Sequence, residues 1–86
     1  MELIFFSSAF CEPCLQTRAI LAEVERLVPA ATVREYDVAH DNAAAEAAGI
    51  RNTPTIIVRN TAGEEVFRAA GVPTLAQVLV ATAKAL

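Results

Sequence analysis

The hydrophobic and polar positions of this chain change period several times, and each change marks a predicted strand or helix. Residues 3–6 form a continuous apolar run, which is typical of a strand buried on both faces of a sheet. From Pro13 the period becomes helical, and Pro29 ends this first helix. Its apolar stripe comprises Ile20, Leu21, Val24, Leu27 and Val28.

The middle of the chain predicts a second strand and a short helix. Residues 31–38 alternate between apolar and polar positions, although imperfectly, and we assign them to a strand. Asp41 or Asn42 is suited to cap the Ala-rich helix that follows. This helix should stop at Gly49, because glycine is favoured in the left-handed position after a helix.

The last third predicts a hairpin followed by a helix. Residues 55–59 are rich in β-branched side chains and form the third predicted strand. Residues 60–63 contain the glycine of a turn, and residues 64–70 return as a fourth strand antiparallel to the third. Thr74 and Gln77 have the spacing of a capping box, which begins the last helix.

The predicted order is therefore βαβαββα. It indicates an α/β fold with a four-stranded mixed sheet and helices on both faces, because a strand–helix–strand crossover makes the first two strands parallel. The chain has 86 residues, 55% of them hydrophobic, so we expect residues 1–86 to form a single domain with a packed core. In such sheets functional groups gather at the carboxyl ends of parallel strands, where the loop after the first strand lies.

The charge pattern excludes several classes of function. The net charge is −3 and the basic residues are scattered, which argues against binding to nucleic acid or anionic membranes. No apolar run is long enough to span a membrane, and the apolar start of the chain is too short for a signal peptide. We therefore expect a cytoplasmic monomer. In that compartment closely spaced cysteines are usually catalytic or metal-binding.

Both cysteines of the chain, Cys11 and Cys14, lie at the predicted start of the first helix. Unpaired N–H groups and the helix dipole there favour a thiolate, the species that attacks disulfides. We expect Cys11 to be the nucleophile and Cys14, one turn inside the helix, to be the sheltered resolving thiol. Pro13 suits the first turn. The carboxylate of Glu12, beside Cys11, should disfavour the Cys11 thiolate and oppose part of the helix effect. We therefore expect the pair to be reducing rather than strongly oxidising.

A lone Cys-x-x-Cys is also compatible with other functions. A closed zinc site needs four ligands, and His40 is the only histidine in the chain, so we expect no structural zinc within one chain. Two thiolates are sufficient for a soft ion such as Cu(I), so a metal carrier or a redox-sensing module remains an alternative. The position of the motif between a strand and a helix favours thiol–disulfide exchange.

Two motifs together resemble the thioredoxin superfamily over essentially the whole chain. They are Phe10-Cys11-Glu12-Pro13-Cys14 after the first strand and Gly49-Ile50-Arg51-Asn52-Thr53-Pro54-Thr55 before the third. The resemblance implies a compact, glutaredoxin-sized protein that reduces protein disulfides without a bound cofactor and receives electrons from a reductase protein. It also implies that Pro54 is cis and packs opposite the disulfide, and that Thr53 offers backbone hydrogen bonds to the substrate.

The chain departs from this family at several positions. Phe10 stands in place of the usual tryptophan, and Glu12 stands in place of glycine. Phe5 occupies the place of the buried aspartate that assists the resolving cysteine, so water, Glu12 or Asp37 would have to accept its proton. The segment Gly71-Val72-Pro73-Thr74 lacks the turn that holds glutathione in glutaredoxins, which makes glutathione the less favoured electron donor.

Four other polar residues have weaker links to function. Arg51 is close in sequence to Pro54, and we expect it to line the groove for the partner. Arg18 lies one turn beyond Cys14, within reach of the site, but we expect it to be solvated, which is the more usual state of a helical arginine. Tyr36 and His40 are predicted to be a core or strand-end residue and an exposed loop residue, respectively.

Overall fold

The computed structural model describes all 86 residues and contains four strands and three helices. In chain order they are β1 (Glu2–Ser7), α1 (Glu12–Leu27), β2 (Thr32–Asp37), α2 (Asn42–Ala47), β3 (Thr55–Arg59), β4 (Glu65–Ala70) and α3 (Leu75–Ala85). The predicted order βαβαββα is confirmed. β1 extends one residue further than predicted at each end, and β4 begins one residue later.

The four strands form one mixed sheet in the order β2-β1-β3-β4. β1 and β2 are parallel and are joined through α1, with Leu3 opposite Val33. β3 runs antiparallel both to β1 and to β4. β1 is thus a central strand with a neighbour at each edge, and its residues 3–6 are buried on both faces of the sheet, as the continuous apolar run predicted.

The two faces of the sheet bury different amounts of apolar surface. Leu3 and Phe5 of β1 face a large cluster that includes buried side chains of α1 and α3. Ile4 and Phe6 face the opposite way and pack with Ala45 of α2. This alternation follows from the period of two in a strand. The larger cluster lies under α1 and therefore under the cysteine motif.

The ends of the helices agree only in part with the sequence. The Thr74–Gln77 capping box is present, with both reciprocal hydrogen bonds formed at 2.9 and 3.1 Å. Asp41 is the N-cap residue of α2, but its carboxylate accepts the backbone N–H of Asp37 instead of capping the helix. Leu27, assigned to the apolar stripe, is 44% exposed because α1 ends at this residue. None of the three helices combines the length and apolar character needed to cross a membrane.

Candidate active site

Cys11 and Cys14 form a disulfide at the N-terminus of α1. Cys11 is the N-cap residue and is partly exposed, whereas Cys14 is buried, with 1% of its surface accessible. The backbone N–H of Cys14 donates a hydrogen bond to Sγ of Cys11 at 3.2 Å. The sulfur of Cys11 therefore occupies the place of a capping oxygen, where negative charge is stabilised by the N–H groups and by the helix dipole.

The local sequence explains how this turn presents Cys11. The backbone N–H groups of Cys14 and Leu15 both reach the carbonyl of Cys11, at 3.1 and 3.3 Å, and so begin the helix. Pro13 lies in this first turn, where it has no hydrogen bond to lose. Phe10 has a positive φ of 55° and a fully exposed side chain, and Glu12 is exposed beside the disulfide. The motif thus projects an aromatic ring and a carboxylate into solvent next to the partly exposed sulfur.

The loop before β3 is connected to the loop that precedes the cysteines. The Thr53–Pro54 peptide bond is cis, and Pro54 is buried. The hydroxyls of Ser8 and Thr53 are hydrogen-bonded at 2.7 Å, and the carbonyl of Pro54 accepts the N–H of Gly71. Among the backbone hydrogen bonds outside helices and strands, none involves Thr53. The backbone N–H and C=O of Thr53 are therefore not paired with other backbone groups of the chain.

A cleft of about 620 Å³ opens beside Cys11. Its walls come from the loop after β1, the first turns of α1 and the end of β2. Four charged side chains line it, namely Glu12, Arg18, Glu35 and Asp37. Neither Glu12 nor Asp37 takes part in an ion pair, and the carboxylate of Asp37 accepts backbone N–H groups from the loop that follows β2.

Arg18 and Glu35 form a bidentate ion pair on the wall of this cleft. Nε and Nη2 of Arg18 donate to the two carboxylate oxygens of Glu35 at 2.8 and 2.6 Å, and the hydroxyl of Ser7 donates to the same carboxylate at 2.7 Å. The hydrogen bond from Arg18 holds the pKa of Glu35 below its usual value, although burial opposes the shift. Arg18 also lies over the ring of Phe5, 5.8 Å from its centroid. Arg18 is therefore a fixed part of the cleft and not a freely solvated side chain, although its side chain is 46% exposed.

Glu35 and Ser7 were not identified from the sequence. The signal that could have found Glu35 is the alternation in β2, since Val33, Glu35 and Asp37 share one face of the strand. Val33 packs against the cluster under α1, so the two carboxylates lie on the side of the sheet that carries the cysteines. The imperfect alternation of β2 thus reflects charged residues placed beside the cleft at the edge of the sheet.

The remaining predicted residues lie away from this cleft. Arg51 is exposed and lines a separate hollow of about 170 Å³ together with Thr53. Tyr36 stacks on Phe6 with ring centroids 5.5 Å apart, and His40 is exposed in a loop, so both agree with their predicted places. No three His, Cys, Asp or Glu side chains are grouped in a way that could hold a metal ion.

Solved structures of similar shape identify the architecture. Thioredoxin 1 from Thermosipho africanus superposes with a TM-score of 0.85 at 15% identity, covering 98% of this chain and 92% of its own. The oxidised form of mitochondrial thioredoxin 3 from Saccharomyces cerevisiae gives 0.84 at 18% identity, covering 95% and 76%. The chain has the thioredoxin fold. Malassezia sympodialis thioredoxin gives 0.81 at 19% identity, covering 98% and 73%.

At these identities the likeness establishes the thioredoxin fold and no more. No protein-family model matches the sequence, and no curated protein is significantly similar to it. The fold expected from the two motifs is nevertheless confirmed. The Cys11–Cys14 disulfide lies after the first strand of this thioredoxin fold, at the carboxyl end of β1.

Proposed function

We propose that the protein is a thiol–disulfide oxidoreductase that reduces protein disulfides through its own Cys11–Cys14 pair. The observation that carries the proposal is the asymmetry of this pair at the helix N-terminus. Cys11 is partly exposed beside a cleft, whereas Cys14 is buried one turn inside α1. Such an arrangement supports a division of labour between an attacking thiol and a resolving thiol.

In the first step the thiolate of Cys11 attacks one sulfur of the substrate disulfide. A bond forms between Sγ of Cys11 and that sulfur, the substrate S–S bond breaks, and the other substrate sulfur leaves as a thiolate that takes up a proton. The N–H of Cys14, which points at Sγ of Cys11, stabilises the attacking thiolate. The exposed Glu12 works in the opposite direction.

In the second step Cys14 loses its proton and attacks Sγ of Cys11. The mixed disulfide bond between Sγ of Cys11 and the substrate sulfur breaks as the Cys11–Cys14 disulfide forms again. The substrate sulfur leaves as a thiolate that takes up a proton, so two electrons and two protons pass from the dithiol to the substrate. Phe5, buried beneath the site, has no group that accepts a proton. Water admitted by the cleft, Glu12 or Asp37 would receive the proton of Cys14.

The substrate chain would bind along the loop that contains Thr53. The backbone N–H and C=O of Thr53 form no backbone hydrogen bond outside the helices and strands. Its hydroxyl is hydrogen-bonded to that of Ser8, in the loop that precedes the cysteines. An extended segment of a partner protein would pair with these groups as an added strand does. Arg51, in the adjoining hollow, would meet the same segment beyond the cysteines.

Electrons would return to the disulfide from a reductase protein, since the reaction needs no bound cofactor. Glutathione is the weaker candidate donor. Its two carboxylates and one ammonium give it a net negative charge, and Glu12 and Asp37 put two uncompensated carboxylates beside Cys11. Repulsion between these carboxylates and the negative charge of glutathione disfavours its association with the cleft.

Reduction of insulin by dithiothreitol tests the proposal. The wild-type protein should accelerate the precipitation of the insulin B chain, and Cys11→Ser should return the rate to that of dithiothreitol alone. A matched Thr61→Ser variant, in an exposed turn far along the chain, should behave as wild type. Equal rates for wild type and Cys11→Ser would contradict the enzyme and leave a thiol module that carries a metal or senses oxidants.

A further inference from the structure

We propose that Arg18 and Glu35 are positioning residues of the redox site, because their ion pair fixes the net charge of the cleft beside Cys11 and thereby sets how readily this thiol reacts. The inference rests on the proposed function, since it concerns the rate of attack by Cys11. It assigns a role to Glu35, which lies 24 residues from Cys11 in the chain but shares its cleft.

The first support is the rigidity of the pair. The carboxylate of Glu35 accepts three hydrogen bonds, two from the guanidinium of Arg18 and one from the hydroxyl of Ser7. The guanidinium is held from a third side by the ring of Phe5. A planar fork bound at two of its three nitrogens loses less entropy per hydrogen bond than a single contact does, so Arg18 stays bound to Glu35 and does not move freely in the cleft.

The second support is the balance of charge around Cys11. The charged groups that face the cleft are Glu12 and Arg18 from α1 and Glu35 and Asp37 from β2. His40 is exposed beyond Asp37 and contributes a backbone N–H to its carboxylate. Since the pKa of Glu35 is lowered by Arg18, the pair remains doubly ionised and neutral at neutral pH. The cleft then holds two uncompensated carboxylates and no unpaired cation.

Removal of either partner changes this balance by one unit, in opposite directions. Glu35→Gln leaves the guanidinium of Arg18 without its counter-ion, and this unpaired positive charge attracts the Cys11 thiolate. Arg18→Met leaves a third unpaired carboxylate, which repels it. Helix positions 11 and 18 are roughly 10 Å apart. At a fixed pH below the midpoint of the alkylation profile, Cys11 should therefore be alkylated about two- to tenfold faster in Glu35→Gln and about two- to tenfold more slowly in Arg18→Met.

The chain offers a matched control on the same helix. Arg26 and Glu23 form a second bidentate Arg–Glu pair near the far end of α1. Helix geometry puts Arg26 roughly 20 Å from Cys11, about twice the distance of Arg18 and more than twice the screening length of physiological salt, and neither Arg26 nor Glu23 lines the cleft. Glu23→Gln and Arg26→Met remove the same chemical groups and should leave the reactivity of Cys11 unchanged.

The experiment measures iodoacetamide alkylation of Cys11 against pH, because this neutral reagent is not steered by charge. Mass spectrometry of the reduced protein separates the Cys11 adduct from any Cys14 adduct. Glu35→Gln should shift the profile to lower pH, Arg18→Met to higher pH, and the double variant should return close to wild type. A structural role alone would move both single variants in the same direction.

Two outcomes would overturn the inference while leaving the proposed function intact. One is a wild-type protein that reduces insulin through Cys11 while the profiles of the Arg18 and Glu35 variants superpose on that of wild type. The other is a pair of shifts with the same sign. Opposite shifts in a protein that does not reduce insulin would instead uphold the charge balance and contradict the proposed function.

Discussion

The two ends of α1 carry similar side chains but differ in what those side chains reach. Each end has an arginine bound through two guanidinium nitrogens to a glutamate. Near the N-terminus Arg18 reaches across to Glu35 of β2 and borders the cleft of Cys11, whereas near the C-terminus Arg26 binds Glu23 of its own helix in solvent. The tertiary setting of an ion pair, and not its chemistry, therefore decides whether it borders the cleft of Cys11.

The electrostatics of the helix sharpen the contrast. The N-terminus of α1 presents unpaired N–H groups, and the sulfur of Cys11 accepts one of them. The C-terminus presents carbonyl groups, and Arg26 in the last turn is favourable there. The first end therefore places backbone N–H groups beside the sulfur of Cys11, while the second end has no such group beside a cysteine.

The largest predicted effect separates the core of α1 from its exposed end. Leu21 is 1% exposed under the sheet, so Leu21→Ala should lower the free energy of unfolding by about 2–5 kcal/mol. Leu27→Ala, at the 44% exposed C-terminal residue, should cost less than about 1 kcal/mol. Urea unfolding measures both. Equal losses for the two variants would contradict the assignment of Leu27 to the surface.

The second prediction concerns the carboxylate closest to the disulfide in sequence. Glu12→Gln removes a negative charge next to Cys11, so alkylation of Cys11 at a fixed pH below its titration should become about three- to tenfold faster. Glu25→Gln, in the C-terminal half of α1, provides the control and should have no effect on this rate. An unchanged pH profile of alkylation in Glu12→Gln would refute the claim that the Glu12 carboxylate disfavours the Cys11 thiolate, which the helix N-terminus stabilises.

The smallest predicted effect concerns stability in acid. Hydrogen bonds from Arg18 lower the pKa of Glu35, so its contribution to stability is present above the pKa of the unfolded chain and is lost as pH falls through the lowered folded value. Glu35→Gln should therefore destabilise the protein at neutral pH, by on the order of 1 kcal/mol because solvent screens this pair.

The difference between wild type and Glu35→Gln should disappear in acid, as thermal unfolding at several pH values would measure. Arg26 likewise lowers the pKa of Glu23, so the destabilisation caused by Glu23→Gln should also disappear as the pH falls. That effect should be smaller, because the Glu23 pair joins neighbouring turns of one exposed helix. A destabilisation by Glu35→Gln that grows as the pH falls would have the wrong sign for this linkage.

Local features of the molecule were accessible from the sequence because they depend on period and on neighbours in the chain. The buried run of β1, the capping box of Thr74 and the place of the two cysteines at the start of a helix are of this kind. The antiparallel pairing of β1 with β3 was not predicted, because sequence period says nothing about which strands are neighbours.

The contacts in the wall of the cleft were not predicted either, because sequence period does not show which elements lie side by side. Whether Arg18 meets solvent or Glu35 depends on how α1 is rotated over the sheet and on the register of β2 against β1, in which Glu35 pairs with Phe5. Ser7 then completes the network from the end of β1. Cys11 is a local feature of one loop, whereas its charged surroundings are assembled from three elements.

In the reaction that we propose, Cys11 attacks the substrate and Cys14 resolves the mixed disulfide. The most direct test of this claim is the intact mass of reduced Cys14→Ser and Cys11→Ser after mixing with a small peptide disulfide. Cys14→Ser should accumulate a stable mixed disulfide on Cys11, while Cys11→Ser should react far more slowly because Cys14 is 1% exposed. Equal rates of adduct formation on the two cysteines, or no adduct on Cys11, would contradict the claim.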